Sequence, residues 1–234
     1  MAPTLAPEQY PYTVIGVLEI FFSEDDVLKK WVGSGYLLKT PAYPDRGDIV
    51  LTAAHNLAYL RKKGLRGVRF NLYDDPDVYT LAERSNETLR YAIPEGYDKY
   101  PGNPAFDFGV MLLNGAPGRS KTPLSLSIIG ETLRQDATIA GVVSDRVKAG
   151  DVSVYRSAVT AEKRRETPLY YPLDATAPGM SGGPVLIERG STWTSMGVVT
   201  GTGEVDDTLE GIAAPIFSET ARIIDSLIAT SLAG

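Results

Sequence analysis

Three side chains in this sequence could cooperate in acyl transfer. Ser181 lies in Gly179-Met180-Ser181-Gly182-Gly183-Pro184-Val185. Small neighbours leave a hydroxyl accessible, and glycine lets the backbone turn so that N–H groups converge; those of Gly179 and Ser181 are the candidates for an oxyanion hole. Taken by itself, such a segment is also an ordinary tight turn. His55 is the single histidine of the chain and follows an apolar run, Leu51-Thr52-Ala53-Ala54-His55-Asn56. Any mechanism that needs an imidazole base near neutral pH must use it, although a lone histidine is more often a plain surface or core residue. Asp107 stands between Phe106 and Phe108 at the mouth of Gly109-Val110-Met111-Leu112-Leu113. A carboxylate placed there is costly to bury unless a hydrogen-bonding or charged partner meets it.

The elements that must position these residues read as short strands. β-branched and aromatic runs recur between Gly, Pro, Asn and Asp clusters, which predicts an all-β chain. Expected strands cover 12–22, 31–38, 49–52, 67–73 and 108–113, with a turn at Ser23-Glu24-Asp25-Asp26. A Gly/Pro/Ser-rich connection follows from Asn114 to Pro123, and a second set occupies 137–143, 152–159, 184–187, 194–200 and 211–215. The expected organisation is an N-terminal arm (1–11), a barrel carrying His55 and Asp107 (12–116) and a barrel carrying Ser181 (117–234), with the site in the cleft between them. Ile223, Ile224, Leu227, Ile228 and Leu232 recur at helical spacing after Ser218 and Glu219, predicting a C-terminal helix packed against the second barrel.

Bulk composition removes several classes. The formal charge of −6, with 23 Lys and Arg against 29 Asp and Glu, argues against nucleic acid as the main partner. The Arg61-Lys62-Lys63 run with Arg66, and Glu162-Lys163-Arg164-Arg165-Glu166, read as solvated loops. Without cysteine there are neither disulfides nor thiolate sites, and with one histidine no nitrogen–sulfur metal site can be assembled, so no metal or cofactor is expected. No signal-like N-terminus and no run of about 20 apolar residues is present, which predicts no membrane partner and a cytosolic chain or a domain of a longer one. A secreted mature form is the lesser expectation, and only there would the sequon Asn86-Glu87-Thr88 matter.

The chain order His55, Asp107, Ser181 is the order used by chymotrypsin-like serine proteases. Thr52-Ala53-Ala54-His55 resembles that family's histidine motif, Asp107 to Leu113 its aspartate motif and Gly179 to Pro184 its nucleophile motif. Gly33 to Leu38 is similar to the glycine-bounded strand ahead of the histidine, Gly197 to Gly201 to the strand that pairs with substrate, and Gly211-Ile212-Ala213 to the far pocket wall. The resemblance spans nearly the whole chain. It implies two packed six-stranded antiparallel barrels with a C-terminal helix, and endopeptidase activity through an acyl-enzyme. His55 would be the base, Asp107 its orienting carboxylate, Ser181 the nucleophile, and Ala175, Thr176, Val199, Thr200, Gly201 and Gly211 would line the pocket.

Two rivals fail on order and pattern. The α/β-hydrolase elbow G-x-S-x-G needs a histidine after the serine, and none follows Ser181; a subtilisin-like reading of Thr194-Ser195-Met196 needs long helices between parallel strands. Met180 stands where trypsin-like zymogens carry an activating aspartate, which brings the chain nearer to the bacterial-type branch, similar to glutamyl endopeptidases. Val199 replaces the pocket histidine by which those enzymes read glutamate, and Ala175 the aspartate by which trypsin-like ones read Arg or Lys. Asp174, Glu204, Asp206, Asp207 and Glu210 are expected at the rim. The expected substrate is a polypeptide with a neutral, apolar or small first-pocket residue, drawn from a restricted set of targets. The alternative is a silent or partner-activated binding module, since fold does not dictate function.

Overall fold

The computed structural model describes residues 2–61, 64–73, 78–82 and 89–233. Lys62 and Lys63 of the basic run and the sequon at 86–88 lie outside them. The chain starts with β1 (Thr4–Leu5), then β2 (Ile15–Glu24), β3 (Val27–Leu37), β4 (Ile49–Thr52), the short helix α1 (Ala54–Ala58), β5 (Leu65–Leu72) and β6 (Val78–Ala82). β7 (Tyr91–Ala92), α2 (Glu95–Lys99) and β8 (Gly109–Leu112) complete the first half. The second holds β9 (Ser125–Leu126), β10 (Leu133–Val142), α3 (Ser144–Lys148), β11 (Val154–Lys163), β12 (Leu169–Tyr171), β13 (Pro184–Arg189), β14 (Thr192–Val205) and β15 (Thr208–Pro215) before α4 (Ser218–Ala233).

The second half closes on itself. Its strands run β11-β10-β13-β14-β15-β12, and β12 returns to β11 through Glu162 and Tyr170. Closure removes free edges, and β11 alternates buried and exposed positions as a strand with one face on a core must. The first half is a curled sheet ordered β6-β5-β2-β3-β4-β8-β7, and among the described residues its outer strands do not pair with each other. The two-barrel expectation therefore holds as one closed six-stranded barrel and one curled half-barrel.

Four details depart from the sequence expectations. The turn between β2 and β3 is only Asp25-Asp26, with φ of 52° and 59°, and Asp206-Asp207 repeats it between β14 and β15 with φ of 49° and 61°. Two consecutive left-handed residues give the turn whose twist suits a hairpin, and aspartate tolerates that region better than most residues. Asp206 and Asp207, expected at the pocket rim, thus build a hairpin tip where Asp206 pairs with Arg164. The N-terminal arm crosses to the other half, where Thr4 and Leu5 pair with Arg156 and Tyr155 of β11. Helix α4 packs on β7 and β8 of the first sheet rather than on the closed barrel, and the Thr40 hydroxyl donates to Asp225 at 2.6 Å. Its Ile224, Leu227 and Ile228 join a core shared with Val110 and Leu112 of the first half and Val198 and Ala214 of the second. The physical reason is the open sheet, whose last strands need an apolar cover that a closed barrel does not.

Among the described residues no helix is long and apolar enough to cross a membrane. None of their His, Asp and Glu side chains cluster as a metal would require.

Candidate active site

His55 and Asp107 are brought together by the first half alone. β4 and β8 pair with Thr52 opposite Gly109, so the residues just after one and just before the other come side by side. Helix α1 starts directly after β4 and turns His55 back toward the connection that leads into β8. Asp107 uses both carboxylate oxygens on this one residue: Oδ1 accepts the His55 backbone N–H at 2.8 Å, and Oδ2 lies 2.7 Å from Nδ1. A carboxylate can only accept, so Nδ1 carries a proton, and in the neutral ring the lone pair then sits on Nε2, which is the tautomer a base requires. The imidazole is further confined by Trp31, edge-on at 6.3 Å and 89°, whose other neighbour is the stacked ring of Tyr59 at 4.2 Å.

Ser181 comes from the turn between β12 and β13 of the closed barrel. Gly179 has φ +98° and Gly182 φ +93°, both in the left-handed region where glycine is free of strain. Two hydrogen bonds set the peptide planes of this turn. The Pro178 carbonyl accepts from Ser144 N–H at 2.8 Å, and the Met180 carbonyl accepts from Gly183 N–H at 3.0 Å. In a trans peptide the N–H points opposite to the carbonyl, so those of Gly179 and Ser181 are turned away from these partners. Among the described residues neither N–H donates to another backbone carbonyl. Met180 is fully buried in the second core and anchors the turn from below. The Ser181 hydroxyl donates to the Thr200 carbonyl at 3.2 Å, and no hydrogen bond joins it to His55 among the described residues.

A cavity of about 240 Å³ opens beside His55 and Asp107, lined also by Tyr97, Pro104, Thr200, Thr202 and Ile212. Burial, and then the neighbouring Asp107 and Asp98 carboxylates, raise the pKa of the Tyr97 phenol, so it stays a neutral donor. A larger cavity of about 580 Å³ lies between Lys39–Pro44 and α4 and touches none of the three candidate catalytic residues.

The six expected pocket residues divide. Thr200 lines the cavity beside His55, while Thr176 and Gly201 are half-buried. Ala175 and Val199 are enclosed in the second core. Gly211 lies against Tyr171, with which it pairs in register; a β-carbon on Gly211 would sit 2.2 Å from the Tyr171 ring. That ring is itself buried and its hydroxyl donates to the Ile212 carbonyl at 3.3 Å, so the space in front of Gly211 is already filled. Sequence reasoning did not find Tyr97, Tyr171, Trp31, Ser34 or Asn56, whose roles come from contacts between distant segments. The Gly33-Ser34-Gly35 spacing was the one available hint, since flanking glycines bring a backbone close to something.

No protein-family model matches this chain, and no curated protein does either. Solved structures do. A Glu endopeptidase in complex with MPD superposes with a TM-score of 0.71 at 18% identity, covering 97% of both chains. The protease Anisep from Arthrobacter nicotinovorans gives 0.65 at 20% identity, covering 97% of this chain and 98% of its own. A thermostable serine protease AL20 from an extremophilic microorganism gives 0.63 at 15% identity, with 95% and 99% covered. Neighbours that match along their whole length, together with the closed barrel, the curled half-barrel and the terminal helix, establish that this chain has the two-barrel fold of the chymotrypsin-like serine proteases.

Proposed function

We propose that this chain is a serine endopeptidase acting through Ser181, His55 and Asp107. The observation that carries the reading is the pair of hydrogen bonds that Asp107 accepts from His55, which turns Nε2 toward the edge of a cleft. The Ser181 hydroxyl leaves the Thr200 carbonyl, gives its proton to Nε2 and attacks the peptide carbonyl carbon. The resulting oxyanion is received by the N–H groups of Gly179 and Ser181. His55 then protonates the leaving amine as the C–N bond breaks, and a water activated by the same imidazole hydrolyses the acyl-enzyme.

The filled space before Gly211 supports a small neutral residue in the first pocket. A glutamate-reading imidazole is not available, because the single histidine is already held by Asp107. The targets on this reading are a restricted set of polypeptides. Covalent labelling by a fluorophosphonate, read by intact mass, tests the core claim: the parent gains one adduct, and Ser181→Ala and His55→Ala do not. The resting bond from Ser181 to Thr200 favours one second reading, a protein whose triad engages only with an activating partner; an unlabelled parent that becomes labelled in the presence of another protein would select it.

A further inference from the structure

We infer that Ser34 and Asn56 form a clasp from the first sheet that holds the Gly179–Ser181 turn in its competent shape, acting as positioning residues. This rests on reading Ser181 as the nucleophile. Both side chains are fully buried. The Ser181 carbonyl accepts two hydrogen bonds, from Ser34 N–H at 2.7 Å and from Asn56 Nδ2 at 2.9 Å. The Gly179 carbonyl accepts the Ser34 hydroxyl at 2.7 Å. Two carbonyls of the turn are thus gripped by residues from the opposite half of the molecule.

Each donor in this cluster has one available direction. The Val142 N–H donates to Ser34 Oγ at 2.8 Å, so the hydroxyl proton is left to point at Gly179. Trp31 Nε1 donates to Asn56 Oδ1 at 2.9 Å, which fixes the amide orientation and sends Nδ2 toward Ser181 and toward Thr52 Oγ1, 3.1 Å away. Thr52 Oγ1 in turn donates to the Ser34 carbonyl at 2.6 Å. A network satisfied at every member in a dry interior is rigid, and losing one member leaves the others unpaired.

Glycines make the contact close enough to work. A β-carbon on Gly33 would lie 2.5 Å from Asn56 Nδ2, and one on Gly182 only 2.1 Å from the Ser34 carbonyl oxygen. Met180 holds the turn from the second core while Ser34 and Asn56 hold it from the first, so its shape needs no liberated N-terminus. Trp31 also meets the His55 ring, placing base and nucleophile turn against one indole.

The test uses the full chain carrying Asn56→Asp, Ser34→Ala, Gly33→Ala or Trp31→Phe. Asn56→Asp keeps the acceptor for Trp31 and removes both donors. Gly33→Ala disturbs the amide without touching the turn, and Trp31→Phe is the mildest change should the buried polar variants fail to fold. Two readouts are taken on folded protein: the fluorophosphonate labelling rate across pH, and deuterium exchange of the segment 177–184. The expected result is labelling slowed by roughly 100-fold together with faster exchange in 177–184, and in Ser34→Ala and Gly33→Ala, which leave the contacts of His55 in place, the midpoint of the pH profile is unmoved because Asp107 holds His55 independently. Unchanged exchange in the folded variants, or in Ser34→Ala and Gly33→Ala a slowing that merely follows a displaced pH midpoint, overturns the clasp. If the parent is not labelled at all, the nucleophile reading fails, while the exchange comparison still decides whether the clasp holds the turn.

Discussion

The two halves of this molecule prepare their parts of the site in opposite ways. In the open sheet, His55 and Asp107, the proposed base and its carboxylate, are fixed by one local arrangement, with β4 and β8 paired and Asp107 holding both the backbone and the ring of His55. In the closed barrel, the serine sits on a turn whose shape depends on partners outside the turn: Ser144 and a buried Met180 on its own side, Ser34 and Asn56 from across the seam. A tautomer can be set by a single carboxylate, whereas two convergent N–H groups require several peptide planes to be held at once. On the proposed mechanism the His55–Asp107 pair is therefore robust, and the Gly179–Ser181 turn is the part that needs support.

That contrast can be broken at several points, the largest effects lying at the chemistry. Ser181→Ala is expected to lower kcat by on the order of 10⁶, and Asp107→Asn by about 10⁴ through the wrong tautomer, with the fold intact in both by circular dichroism. A loss of similar size in a Trp31→Phe variant would mean that the two parts are not separately held. Next comes the cover of the open sheet. Ile224→Ala on α4 and Ile139→Ala in the closed barrel should each cost about 2–5 kcal/mol in urea unfolding, and both should shift the same single transition. Two transitions, with each variant moving one, would show that the halves stand alone.

Smaller effects refine the picture. Tyr171→Ala empties the space in front of Gly211, so in a peptide library the preferred first-pocket residue should shift from small to large side chains at some cost in stability. An unchanged preference would place the recognition elsewhere. The smallest effect belongs to Asp151, at the entry to β11. Hydrogen bonds from Ser153 and Tyr155 hold its carboxyl below the ordinary carboxylate range, with the Ser153 contribution the largest. A depressed folded pKa contributes stability above the unfolded value and loses it as pH falls through the folded one. Asp151→Asn should lower the urea midpoint slightly near neutral pH, and the difference should vanish in acid; a constant difference at all pH values would assign the effect to packing.

The parts of this site that were legible in the sequence are those that carry their own neighbourhood. His55, Asp107 and Ser181 each lie next to a short apolar strand or a glycine-rich turn, so residue type and local pattern point the same way. Ser34 and Asn56 were silent because their meaning comes from partners 145 and 125 positions away in the chain. Tyr171 was silent for a related reason: register, not spacing, puts its ring over Gly211. The tips at Asp25-Asp26, within the four-residue turn expected there, and at Asp206-Asp207, expected at the rim, are not legible as two-residue hairpins because the usual signal at such positions is Asn-Gly or Asp-Gly. Helical periodicity identified α4 and its buried stripe but could not say which half that stripe would cover.

The two ends of the chain exchange allegiance. The N-terminal arm adds β1 to the closed barrel, and the C-terminal helix roofs the open sheet. Cleavage within the linker at 114–123 would therefore leave each fragment holding a piece of the other: the N-terminal one keeps a strand without its sheet, and the C-terminal one a helix without the surface it covers. Such fragments should recombine into a noncovalent complex more readily than either folds alone, which makes the linker a place to split the chain and to make the proposed activity depend on the proximity of the two pieces.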